Sequence, residues 1–151
     1  MSETGRLLGV DHGTVRIGLA VTDADCKFAF PLVIYQRRDP ARDAAFFQKL
    51  VADENIVQII VGLPIHLDGR ESASAGEARA FGQWLGEATQ LPVVYFDERF
   101  TTVQAEELLW SAGLSHKERK ARRDKLAAQI LLEAYLDAGC PASPHIGPLD
   151  E

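Results

Sequence analysis

Apolar positions along this chain follow two rhythms. Near the start, Leu7-Leu8-Gly9-Val10 and Ile17-Gly18-Leu19-Ala20-Val21 are short aliphatic runs. A polar, glycine-containing turn from Asp11 to Arg16 separates them, and that pattern predicts a β-hairpin. A third strand is expected over Leu32–Gln36, introduced by Pro31. Asp39-Pro40 then offers an N-cap followed by proline at the first helical position. The helix it opens runs to about Glu54, with Phe46, Phe47, Leu50 and Val51 on one face. Val57–Val61 is nearly continuously apolar, as expected of a strand covered on both sides.

A loop follows from Gly62, in which Asp68-Gly69 reads as a tight turn. Ala78, Phe81, Trp84, Leu85 and Ala88 recur at spacings of three and four, a second helix. Val93–Phe96 is another buried strand and stops at Asp97-Glu98-Arg99. Thr101 with Gln104, and Ser115 with Glu118, each form a capping box. The first opens a helix with Ala105, Leu108, Leu109 and Ala112 inward, ended by Gly113; the second opens a helix to about Asp137. Three hairpin-linked strands followed by helix–strand alternation predict an α/β fold. Its mixed five-stranded sheet has three antiparallel strands, then parallel ones, with helices on both faces. Residues 1–138 read as one domain, and the proline-containing tail, 139–151, is expected to be loose.

Composition changes this picture little: 151 residues, 46% hydrophobic and 25% charged, describe an ordinary globular domain. No apolar run approaches the roughly 20 residues that span a membrane, and residues 1–6 resemble no targeting segment. Cys26 and Cys140 form no CxxC pair and suit a reducing cytosol, so a cytoplasmic protein is expected. Zinc is disfavoured, because histidines and cysteines never fall at ligand spacing. A net charge of −6 speaks against indiscriminate coating of nucleic acid. A local basic run nonetheless exists: Lys117, Arg119, Lys120, Arg122, Arg123 and Lys125. Such a run fits a solvated helix face, or a phosphate-binding mouth if a site lies beside it.

Three acids decide which. Asp11 ends a buried strand, where a carboxylate is costly without a turn, an arginine or a cation against it. Asp97 and Glu98 end another strand, and alternation lets only one of them share a face with Asp11. Strand ends of open α/β sheets face the crevice where ligands bind. Asp124 is the odd one: it shares the apolar stripe of the last helix with Ala127, Ala128, Leu131 and Tyr135. A salt bridge to a basic neighbour is one solution for it. The other is convergence with the strand-end acids, since two alanines one turn on would let the helix approach the sheet. Converging carboxylates repel one another, and divalent cations relieve this. Oxygen-only ligation favours Mg²⁺ or Mn²⁺, and such ions activate water for phosphodiester hydrolysis.

Four motifs in order carry a resemblance. They are Asp11-x-Gly13-x-x-Arg16-x-Gly18-x-Ala20; Val61-Gly62-Leu63-Pro64 with Asp68-Gly69; Asp97-Glu98-Arg99-x-Thr101-Thr102-x-x-Ala105-Glu106; and Asp124-x-x-Ala127-Ala128-x-Ile130-Leu131. Over residues 6–138 the chain resembles the YqgF family, bacterial relatives of Holliday-junction resolvases regarded as nucleases that mature the 5′ end of pre-16S ribosomal RNA. The resemblance implies an RNase H-like fold and metal-dependent nuclease chemistry. It puts catalysis and metal binding on Asp11, Glu98 and Asp124. Arg16, Arg99 and Thr101 would line the site near phosphate. The basic run, with Lys117, Arg119, Lys120, Arg122 and Arg123, would hold nucleic acid at its mouth. Pre-rRNA, and with it the small ribosomal subunit, is the partner the resemblance implies; branched DNA is the alternative. Thr22 stands where serine is usual, Phe100 where leucine is, and His66 departs further in its loop.

Rival readings exist. An Asp-x-Gly-Thr turn between strands also opens sugar kinases and actin-like ATPases, but their second half has no counterpart here. A non-catalytic RNA-binding module would gain nothing from three acids beside phosphates. A resolvase of two-fold junctions should act as a dimer. His12 is expected on the surface, since adjacent residues point apart, and Trp84 and Trp110 in the core or partly in it rather than as base-stacking platforms.

Overall fold

In the computed structural model the described residues are 5–64, 73–98 and 115–141, without the side chains of 116 and 119–125. Strands β1 (Arg6–Asp11), β2 (Arg16–Thr22) and β3 (Ala29–Gln36) come first, followed by helix α1 (Pro40–Asp53) and β4 (Ile56–Leu63). Helix α2 (Ala73–Thr89), β5 (Val93–Asp97) and helix α3 (His116–Asp137) complete the order. The sheet runs β3-β2-β1-β4-β5. β1–β2 and β2–β3 are antiparallel, whereas β1–β4 and β4–β5 are parallel. This is the mixed sheet that the strand order predicts. The expected helix from Thr101, the Asp68-Gly69 turn, Trp110 and the tail beyond Pro141 lie outside the described residues.

Alternation along the strands builds two cores. Leu8, Val10, Ile59 and Val61 point to one face, where α1 and α2 cover them with Phe47, Phe81 and Leu85. Leu7 and Ile60 point to the other, beneath Ala128, Leu131, Leu132 and Tyr135 of α3. Ile59, Ile60 and Val61 of β4 are therefore consecutively apolar because both faces are covered. The caps match their residues. The Asp39 side chain accepts from the Arg42 amide and Pro40 opens α1, while Ser115 and Glu118 form the reciprocal capping box of α3. No helix among the described residues is long and apolar enough to cross a membrane.

Two expectations are corrected. β3 begins at Ala29, not Leu32, and Pro31 lies within it, opposite Ala20 at a register shift. Proline is tolerated there because β3 is an edge strand and the missing N–H costs no ladder bond. His12 is half-buried rather than a surface residue, as described below. The threonine at 22 keeps the function of a serine: its buried hydroxyl accepts from the Leu7 amide at 2.9 Å. Cys26 and Cys140 are both free thiols.

Gly9 sets how closely α3 lies on the sheet. A Cβ there would sit 2.5 Å from Leu132 Cγ and 3.1 Å from the Ala128 carbonyl oxygen. Because helix backbone cannot yield as a side-chain tip can, Gly9→Ala is expected to cost about 1–3 kcal/mol. In a domain of this size that lowers the melting temperature by about 2–10 °C, readable by thermal denaturation.

Candidate active site

Asp11, the last residue of β1, pairs with Gly18 of β2. A Cβ on Gly18 would lie 3.5 Å from Asp11 Cβ, 3.8 Å from Asp11 Oδ2 and 3.8 Å from Ala128 Cβ. Asp11 therefore stands on the α3 face of the sheet. β5 pairs with β4 through Gly62–Phe96 and Leu63–Asp97. Val61 and Leu63 pack towards α1 and α2, so Gly62 opens to the α3 face. A Cβ at Gly62 would collide with the Glu98 carboxylate, with Glu98 Cδ and Cγ only 3.0 Å away. Glu98 thus folds back over Gly62, on the same face as Asp11. Asp97 is 1% exposed and alternates to the opposite face, beside Leu63. Of the two strand-end acids, Glu98 is the one that meets Asp11.

The charge distribution agrees. Burial first, then the negative charges of Asp11 and Asp97, push the Glu98 carboxyl up to about 7. Two carboxyl groups, both oxygen donors, are thus held together in a partly desolvated crevice at the strand ends. That donor set suits a hard divalent cation.

Gly62 creates the space for this arrangement. In Gly62→Ala the nearest atoms to give way belong to the flexible Glu98 side chain. The fold should survive within about 1 kcal/mol while Glu98 leaves its position, and a 1 Å misplacement can cost about 100-fold in rate. Cleavage rate measured beside a melting curve checks this: a rate loss with an unchanged melt is the expected pair.

The other site residues fall as follows. Arg16 lines a cleft of about 350 Å³ together with Asp11, Thr14 and Gly18, so the structure brings Arg16 and Asp11 to one opening. Lys117 is exposed in the first turn of α3. Arg119, Lys120, Arg122, Arg123 and Asp124 lie on α3 by backbone, with side chains outside the described set. Leu132 and Ala128 approach Gly9, and Ala128 approaches Gly18. The helix therefore passes residue 124, one further turn on, towards the end of β1. Arg99 and Thr101 are outside the described residues. Among the described residues no three acids, histidines or cysteines gather closely enough to hold an ion.

Sequence reasoning missed a cluster on the opposite face. His12 packs on Phe81 with ring centroids 5.0 Å apart and the rings tilted by 38°, and the Arg37 guanidinium lies 5.2 Å from the Phe81 centroid. Arg37 Nη1 is 3.2 Å from His12 Nε2 and 3.2 Å from the Gly13 carbonyl oxygen. Arginine only donates, so Nε2 accepts. Burial, then the Arg37 charge, lowers the His12 pKa from its ordinary value, against a smaller opposite effect of Glu77. Asp43 was also missed: it is 3% exposed and accepts from Tyr35 Oη at 2.6 Å and the Arg38 amide at 2.9 Å. Burial, then this bond, pushes the Tyr35 hydroxyl up to about 12. The available signal was Arg37 two positions after Tyr35, with Phe81 at a helix position facing the sheet.

This arrangement has relatives. A family model described as "RuvX: Holliday junction resolvase" matches residues 5–138. The chain belongs to the RuvX family. The resemblance to YqgF proteins is thereby borne out. A Rhodopirellula baltica relative named "Putative pre-16S rRNA nuclease" is 48% identical over 135 residues, 89% of this chain and 78% of that protein. An Anaeromyxobacter dehalogenans relative of the same name is 40% identical over 136 residues, 90% of this chain and 99% of the other. Among solved structures, Thermus thermophilus RuvC in complex with a Holliday-junction substrate superposes with a TM-score of 0.58 at 15% identity. That match covers 93% of this chain and 99% of RuvC. At that identity the likeness speaks for the fold, and it supports the RNase H-like architecture of the RuvX family.

Proposed function

We propose that this chain is a divalent-metal-dependent nuclease that matures the 5′ end of pre-16S rRNA in the cytoplasm, through one domain spanning residues 1–138. The observation that carries this is the meeting of Asp11 and Glu98 on one face at the strand ends, made possible by the absent side chain of Gly62. Family membership supports the nuclease class, and the names of the curated relatives support the RNA substrate.

Asp11 and Glu98 would hold the cation, and Asp124, on the helix turn next to Ala128, would complete the ligand set. A bound Mg²⁺ or Mn²⁺ would supply a water of lowered pKa and stabilise the leaving oxygen. The remaining steps fall to the chain itself. Arg16 would grip a phosphate beside the scissile one in the cleft it shares with Asp11. Arg99 and Thr101 would line the same opening. Lys117, Arg119, Lys120, Arg122 and Arg123 would hold the strand along the start of α3, an electrostatic and salt-sensitive grip. Glu98 must release its proton for the cation to bind, so the cation and the proton compete there.

A second reading, resolution of four-way DNA junctions, is favoured by the family's description. One assay separates the two. An end-labelled RNA spanning the 16S 5′ processing site and a labelled four-way junction are incubated with Mg²⁺, Mn²⁺ or EDTA. Cation-dependent cutting of the RNA and not of the junction is expected. Cutting of the junction alone would transfer the chain to the resolvase reading. Tight RNA binding with no cut under any cation would leave a binding module.

A further inference from the structure

The β1–β2 turn separates two cavities. On the α3 side is the Asp11 cleft, and on the α1/α2 side is a cavity of about 420 Å³ at the same end of the sheet. Thr14 lines both, and the consecutive residues Asp11 and His12 line one each. A strand bound at Asp11 therefore has a second chamber directly across the turn. From these two cavities we propose that the second chamber is a subsite for one unpaired nucleobase of the nucleic-acid substrate, flanking the scissile phosphate. The inference rests on the nuclease reading for its substrate, and it adds where a flanking base goes.

The chamber's chemistry selects that occupant. Its floor is aromatic: Phe81 is buried beneath His12, and Trp84 is half-buried, tilted 35° to Phe81 at 5.5 Å. Trp84 lines the cavity, so its indole offers a stacking surface to a planar ring, and such stacking is tolerant of base identity. Among the described lining residues the charges cancel. Arg37 and Arg38 are balanced by Asp43 and Glu77. A phosphate would meet Glu77 and find no net positive field, whereas a neutral heterocycle loses nothing. The exposed rim supplies donors and acceptors for base edges in Thr14, Arg38 and Glu77. The size suits a single nucleotide, within the roughly 300–1,000 Å³ of small-molecule sites.

Substrate RNAs carrying one abasic residue, walked through the positions flanking the cut, test this by equilibrium binding without divalent cation, so that no cleavage intervenes. At one position, loss of the base should weaken binding to the native chain about tenfold. The same loss should make no difference to Trp84→Leu, which keeps apolar contact with the core but offers no stacking face. Trp84→Phe should retain most of the discrimination, and melting curves of both variants verify the fold. 2-Aminopurine at the sensitive position should be quenched by the native chain and by Trp84→Phe, and unquenched by Trp84→Leu. Uniform binding of every abasic RNA would overturn the subsite while leaving the nuclease reading intact. Base-dependent binding through Trp84 in a chain that never cleaves would uphold the subsite and sink the nuclease. Failure to bind RNA at all would overturn both.

Discussion

Asp11→Asn is expected to lower the cleavage rate by about 1,000-fold while binding RNA at least as tightly as the native chain. The amide keeps the shape of the carboxylate, so its place beside Gly18 persists. What disappears is one negative charge and one anionic ligand. Metal-ion stabilisation of a phosphodiester transition state is worth several kcal/mol, and each 1.36 kcal/mol is tenfold in rate. Binding should respond in the opposite sense, because removing an acid beside a phosphate relieves repulsion. Single-turnover cleavage and filter binding on the same preparations separate the two effects. A variant that binds and cleaves like the native chain would remove Asp11 from the chemistry.

The second large effect concerns pH. Glu98 titrates near 4.5 when unfolded and at about 7 in the fold, raised by burial and by Asp11 and Asp97. Between those values the folded chain holds a proton that the unfolded chain has released, so stability falls as pH rises. The contribution is fully present below about 4.5 and lost as pH passes through about 7. It amounts to on the order of 3 kcal/mol, from 1.36 kcal/mol per pKa unit. In the absence of divalent cations the melting temperature should therefore drop by about 5–10 °C between pH 5 and pH 7.5. Glu98→Gln, neutral at every pH, should flatten that slope. Adding Mg²⁺ or Mn²⁺ at pH 7.5 should restore much of the loss in the native chain and none in Glu98→Gln. A slope unchanged by the substitution would assign the effect to other groups.

Most of the fold was legible because periodicity and caps are local. The Asp39-Pro40 start of α1 and the Ser115–Glu118 start of α3 are written in four residues each. The continuous apolar run Ile59–Ile60–Val61 encodes burial on two faces. The start of β3 was not legible, because proline is excluded from central strands and allowed at edges, and edge position is a tertiary property. In the site, alternation narrowed Asp97 and Glu98 to one, but the choice needed the register of β5 on β4. That register puts Glu98 above Gly62. His12 was misjudged for a related reason. Pointing away from Asp11 sends it into the α1/α2 layer, where Phe81 and Arg37 arrive from 69 and 25 positions away. Nothing near residue 12 announces either partner.

The measurement that bears most directly on the central claim is Mn²⁺ binding followed by electron paramagnetic resonance, on the native chain and on Asp11→Asn, Glu98→Gln and Asp124→Asn. The account predicts Mn²⁺ held by the native chain, competed by Mg²⁺, and lost together with RNA cleavage in each of the three variants. Native cleavage that persists in EDTA, or variants that keep both the ion and the cut, would contradict it.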